Sequence, residues 1–141
     1  MATDQPDERR FTGRLPHGSD LLASLTGFCE QNHIQHGGVR ALGALSRAVV
    51  AFYDQKEQVY HEVAFDDEVE LLTLAGNVSL KDGRPFVHAH VVLADRTGRA
   101  FGGHLVNGCT VFACEFAVSE WNHAPAPVRQ RDPVTGLWLW P

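Results

Sequence analysis

The sequence predicts an α+β fold, a mostly antiparallel β-sheet of about six to seven strands covered by one main α-helix. Three observations lead there. Only the stretch near residues 20–32 repeats its apolar residues at helical spacing. From Val39 to Glu120 the chain breaks into short β-type runs separated by turn-like clusters. Nowhere do strands and helices alternate as a parallel sheet requires. At 141 residues the chain has the length of one domain, long enough to bury roughly two-thirds of its unfolded surface.

Residues 1–8 are polar and are expected to be flexible, with residues 9–141 forming a single domain. Arg9 to Leu15 has the length of a first strand, stopped by Leu15-Pro16-His17-Gly18. Ser19 or Asp20 stands where a helix N-cap belongs, and Leu21, Leu22, Leu25, Phe28 and Cys29 form one apolar stripe. Gln35-His36-Gly37-Gly38 is expected to end the helix, its glycines suited to the left-handed conformation. Val39–Leu45 and Arg47–Asp54 read as two strands. Asp54-Gln55-Lys56-Glu57 leads into Val59–Phe65, whose Val59, His61, Val63 and Phe65 share one face. By that alternation His61 should point inward and pack as a core histidine. Asp66-Asp67-Glu68 turns the chain into Val69–Leu80, and Lys81-Asp82-Gly83-Arg84 into Pro85–Ala94. Arg99–Val106 and Thr110–Glu120 complete the sheet. Pro125 and Pro127 make Asn122–Val128 linker-like, and Leu137-Trp138-Leu139-Trp140 is apolar enough to pack on its own sheet or a neighbouring subunit.

Composition excludes several classes of function. No stretch approaches the ~18 apolar residues of a membrane-spanning helix, so no membrane partner is expected. The N-terminus lacks the basic start and apolar core of a secretory signal, which makes the cytoplasm the expected location. Cys29, Cys109 and Cys114 are odd in number and form no Cys-x-x-Cys, which argues for buried apolar residues rather than disulfides or a thiolate zinc site. The formal charge is −5, and the twelve basic residues are scattered. That disfavours nucleic acid, whose affinity comes from Lys and Arg neutralising phosphates.

The chemistry concentrates in Val87-His88-Ala89-His90-Val91 and Gly102-Gly103-His104-Leu105. Residues i and i+2 of a strand share a face, so His88 and His90 point one way while Val87, Ala89, Val91 and Leu93 point to the core. Whether His104 joins them depends on Asp95-Arg96-Thr97-Gly98-Arg99. A type I turn followed by Gly98 as a G1 bulge pairs Asp95 with Arg99 and sets His104 opposite His90. A two-residue loop would shift the pairing by one and turn His104 to the other face. Phe101 and Leu105 fall on the core side only in the first register. Three neutral imidazoles can hold a divalent transition metal and leave a fourth position open. Zinc is the first expectation, and nickel, copper and iron also accept imidazole. Gly102 and Gly103 remove side chains beside the site, which permits close approach of a ligand or another chain. Polar residues on a half-exposed strand face are the ordinary alternative.

Other candidates are weaker. Glu115 lies on the less apolar face of its strand and is the catalytic candidate, as a general base or as a carboxylate supporting a ligand; a solvated glutamate is the plainer reading. His17, His33, His36 and His123 carry no spacing argument. The chain has no phosphate-cradling Gly-rich loop, no Gly-x-Ser-x-Gly and no His-Glu-x-x-His.

Several runs together resemble the PPC (plants and prokaryotes conserved) domain family. They are Gly38–Leu45, Tyr53-Asp54, Leu71–Val78, Lys81–His90, Asp95–Arg99, Gly102–Leu105 and Asp132–Leu137, which span nearly the whole chain. The resemblance implies an α+β fold, a homotrimer, and a metal site, usually zinc, at His88, His90 and His104 near the subunit interface. Plant members join the domain to AT-hooks and act on AT-rich DNA; bacterial members carry a DNA-binding label by analogy. Here Asp82-Gly83-Arg84-Pro85 places a carboxylate where an AT-hook needs its first arginine, so the resemblance is to a stand-alone prokaryotic member without that hook. Two functions follow as expectations. One is a small trimeric metal-binding protein with a DNA-associated regulatory role. The other is a zinc-dependent enzyme or small-molecule binder that uses the three histidines at the subunit interface.

Overall fold

The computed structural model describes residues 8–122 and 124–141; of the start expected to be flexible, all but Glu8 lies outside the described residues. The elements run β1 (Arg10–Leu15), α1 (Leu21–Gln31), β2 (Gly37–Asp54), β3 (Val59–Phe65), β4 (Val69–Lys81), β5 (Arg84–Ala94), β6 (Ala100–Leu105), β7 (Thr110–Glu120), β8 (Gln130–Arg131) and β9 (Trp138–Leu139). Among the described residues seven strands form one antiparallel sheet with a single helix against it, the α+β architecture expected from the pattern.

The two strands expected between Val39 and Asp54 are one strand of 18 residues. Register shifts near Gly43 and between Ala44 and Arg47 bend it without breaking it. Its first half pairs with β4 on one edge and β7 on the other; its second half pairs with β3 and, at Val50 and Ala51, with β6. Because β5 lies between β4 and β6, the ladder runs β2–β4–β5–β6 and returns to β2. That closure removes the free edges of β5 and β6, the two strands that carry the histidine pattern.

Helix α1 begins where Asp20 caps it: one carboxylate oxygen accepts from Ala23 N–H at 2.9 Å and the other from Gly108 N–H at 2.6 Å. Leu21, Leu25 and Cys29 are fully buried on its inner face, in one cluster with Val87, Ala89, Val91, Leu93 and Leu105. Phe28 joins edge-on to Phe11 and Phe116, with ring centroids 5.5 and 4.8 Å apart.

The helix does not end on glycine. Asn32 is its C-cap and His33 takes the left-handed conformation, φ 57°. Gly37 and Gly38 instead open β2, where a Cβ at Gly37 would stand 2.4 Å from the Ser119 carbonyl oxygen. Close strand approach, and not a turn, requires glycine there. His61 is also corrected: β3 flanks β2 alone, and the His61 side chain is 57% exposed rather than packed in the core. Alternation assigns a face, but along β3 only Phe65 at its far end packs against the core, and His61 lies outside it.

All three cysteines are buried and free. Burial pushes the thiols of Cys29 and Cys114 up to about 11, which leaves them inert at neutral pH. The C-terminal segment returns to the sheet: Pro127 and Arg129 exchange backbone hydrogen bonds with Leu80, and β8 pairs with β9. Trp138 and Trp140 remain partly exposed.

Candidate metal centre

The site is built by one hairpin. Gly98 N–H donates to the Asp95 carbonyl at 2.9 Å, Asp95 N–H to the Arg99 carbonyl at 3.1 Å, and Gly98 has φ +80°. The Asp95 carboxylate accepts from the Thr97 hydroxyl and N–H and from Arg99 N–H, which holds its pKa below the ordinary carboxylate range. This is the bulged turn that the sequence required. Arg99 stands opposite Asp95, Ala100 opposite Ala94, Phe101 opposite Leu93, and His104 opposite His90. On the reverse face Val87, Ala89, Val91, Leu93 and Leu105 are buried.

His88, His90 and His104 therefore project together. Each offers a ring nitrogen, and these nitrogens lie within 4.8 Å of one another. The ring centroids are 5.1–5.5 Å apart. His88 and His104 are half-buried, whereas His90 is more open to solvent. Burial, followed by the charges of His104, Arg129 and His90, pushes His88 down to about 4. Burial also lowers His104, with His90 and Arg129 adding to it. At neutral pH these two rings are uncharged and keep a lone pair for a cation. The donor set fits a borderline divalent ion: three imidazoles on two paired strands, with room beside them for a further ligand.

The histidines line an open cavity of about 1320 Å³. Tyr60 of β3 covers His104, with ring centroids 4.8 Å apart and planes 33° from parallel. Asn77 of β4 pairs with His88 across the ladder, and its side-chain oxygen accepts from Arg129 at 2.8 Å. The far wall is the C-terminal segment, from Val134 to Leu139. The Tyr53 hydroxyl ties this wall down by donating to the Thr135 carbonyl at 2.6 Å. Sequence reading missed Tyr60, Asn77 and Arg129. They come from β3, β4 and the segment just before β8, and no local spacing marks them.

Glu115 is elsewhere. It is exposed on β7, paired with Arg14 and Leu42, with β2 and β4 between it and β5 in the sheet order. It does not line the cavity. Gly102 lies on the histidine face beside Val92, but a Cβ there would meet the Val91 carbonyl oxygen at 2.0 Å. The neighbouring strand is enough to explain this glycine. Asp82 and Gly83, both at positive φ, form the tight β4–β5 turn, so Asp82-Gly83-Arg84-Pro85 sits in a hairpin.

Several known proteins share this architecture. A metal-containing protein from Archaeoglobus fulgidus is 38% identical, with a TM-score of 0.89 and 99% of each chain covered. A plant- and prokaryote-conserved (PPC) protein from Pyrococcus horikoshii is 34% identical, with a TM-score of 0.90 over 100% of this chain and 97% of that one. A candidate DNA-binding protein from Ralstonia eutropha JMP134 is 28% identical, with a TM-score of 0.82 over 91% and 88%. Among curated proteins, the bifunctional protein GlmU of Synechococcus sp. (strain JA-3-3Ab) is 36% identical over 129 residues. That match takes in 91% of this chain but spans only 20% of the relative. Residues 2–122 match the Plants and Prokaryotes Conserved (PCC) domain, and the chain belongs to that family.

Proposed function

We propose that the chain is a metal-binding module in which His88, His90 and His104 hold one divalent transition metal ion, zinc first, and leave a position open to a small molecule. One observation carries this reading: three imidazole nitrogens within 4.8 Å of one another, on strands whose register is fixed by a local turn. The Archaeoglobus relative, described as metal-containing, supports it. A bound ion would supply Lewis acidity at the open position. The chain itself supplies the rest: rings held uncharged by burial, Tyr60 shielding one side, and an apolar wall from the C-terminal segment.

The active assembly is a homotrimer. The outer sheet face supports this, because Leu42, Leu72 and Phe112 all stand there half exposed or more. Leu72 and Phe112 are the extra residues of β-bulges, and Leu42 lies beside the first of these. Bulges that turn large apolar side chains outward on adjoining strands prepare a surface for burial. Elemental analysis of purified protein, together with light scattering, tests both parts. One zinc per chain and a threefold mass are expected, with Leu42→Glu shifting the mass toward the monomer. Absence of any transition metal after loading and desalting would remove the metal reading.

A DNA-associated role is the second reading. It rests on the Ralstonia neighbour's description and is opposed by the −5 charge. Anisotropy with an AT-rich duplex at about 50 mM salt decides it, because electrostatic binding is strongest there. No binding under that condition ends the DNA reading and leaves the metal centre untouched.

A further inference from the structure

The cavity beside the histidines carries a charge pattern that a metal held by them would not explain. Arg129 is only 5% exposed, and its guanidinium is held by three neutral acceptors. Its Nε–H donates to the Ser79 hydroxyl at 2.8 Å, one terminal N–H to the Trp138 carbonyl at 2.9 Å, and another to the Asn77 side-chain oxygen at 2.8 Å. Two of its five N–H groups remain. Its face rests on the Phe86 ring, 5.0 Å from the centroid. Among the described residues no carboxylate pairs with it. A guanidinium taken out of water without a counter-charge is costly, and buried cations are ordinarily paired.

The surroundings reinforce this pattern. Lys81 also lines the cavity, its ammonium 4.7 Å from the centroid of Trp138 and 5.2 Å from that of Phe86. Of the described residues lining the cavity none is aspartate or glutamate, although acidic residues outnumber basic ones by 17 to 12 in the whole chain. A protein of net charge −5 thus keeps a cavity with two cations, three histidines and no carboxylate. Arg129 lies beyond residues 2–122, the part that matches the family.

We propose that this cavity binds a small organic carboxylate, its carboxylate on Arg129 and a second oxygen of the same molecule directed at the histidine centre. Two free N–H groups on one planar fork match the two oxygens of a carboxylate. Aromatic walls from Tyr60, Phe86 and Trp138 suit a carbon skeleton rather than a bare inorganic ion. Arg129 bonds Asn77, the ladder partner of His88, so a molecule that spans both groups carries its second oxygen close to the carboxylate, as 2-oxo and 2-hydroxy acids do. The Arg129 half of the site stands on its own; the second contact rests on the metal reading.

The test uses the full chain, zinc-loaded and zinc-free, titrated calorimetrically with pyruvate, methyl pyruvate and inorganic phosphate. Pyruvate is expected to bind, with the uncharged ester at least about tenfold weaker. Arg129→Lys, which keeps a cation but loses the fork, is expected to weaken pyruvate by about tenfold to a hundredfold without changing zinc content. Circular dichroism melts confirm that this variant is folded, and the acid-versus-ester comparison needs no variant at all. Equal binding of acid and ester overturns the proposal. So does a folded Arg129→Lys protein with unchanged affinity, and so does no pyruvate binding up to about 10 mM. Phosphate binding tighter than pyruvate overturns the assignment to carboxylates. If the protein takes up no zinc yet binds pyruvate through Arg129, the metal reading fails and the anion site stands. Zinc uptake without any anion binding is the reverse result.

Discussion

Among the described residues two clusters bring three potential ligands within 4.8 Å of one another: His88, His90 and His104, and Asp54, Glu57 and His61. They are chemically unlike. The histidines sit on paired strands backed by a buried core and line a cavity. The second group lies around the β2–β3 hairpin and already has other work. One Asp54 oxygen accepts from the backbone N–H groups of Glu57 and Lys56, both at 2.9 Å, which lowers its pKa below the usual carboxylate range. Glu57 and His61 form an exposed pair 3.7 Å apart. Such contacts shape a turn and contribute little once water and salt screen them. Proximity of ligand atoms therefore does not define a site; what holds the atoms, and what else they bond, does.

The largest expected effect separates the two clusters directly. His90→Ala should weaken zinc by more than about a hundredfold, since removing a ligand costs more than disturbing its support. The combined Asp54→Ala and His61→Ala variant should leave zinc content unchanged. Competition with a chromogenic chelator reads both, and an equal loss in the two proteins would erase the distinction drawn here.

Next comes Gly98→Ala, which tests the register that assembles the histidines. A Cβ at Gly98 meets nothing within 4 Å, so the only penalty is the positive φ, about 1–2 kcal/mol. Urea denaturation should show that loss, together with weaker zinc binding. A variant that loses stability and keeps full zinc affinity would show that the bulge is dispensable for the site.

A smaller effect contrasts a buried carboxylate with the exposed ones of the hairpin. Glu120 is buried and bonded by the Arg9 guanidinium, which holds its pKa below the ordinary glutamate range. The depressed folded value means that this pair stabilises the protein above the unfolded glutamate value, near 4.3, and that the contribution fades as pH falls through the folded value. Thermal melts from pH 6 to pH 2 should show this acid loss. Glu120→Gln should flatten it.

Much of the candidate centre was legible in the sequence because the information is local. Alternation along Val87–Leu93 assigned the faces, and five residues from Asp95 to Arg99 set the register. The errors have one physical origin. His61 obeys alternation on the part of β3 that the core does not reach, and Gly37 is glycine because β7 runs close by. In both cases the deciding neighbour is distant in sequence.

By itself the sequence determined the helix, the hairpins, the fold class and the shared face of three histidines, since turn chemistry and side-chain period act over a few residues. Only the tertiary structure decided that β2 is one bent strand, that β6 returns to it to close the ladder, and that Tyr60, Asn77 and Arg129 meet at the histidines. Those contacts join residues tens of positions apart. They are set by strand order and by the packing of a shared core, to which any short stretch of sequence is blind.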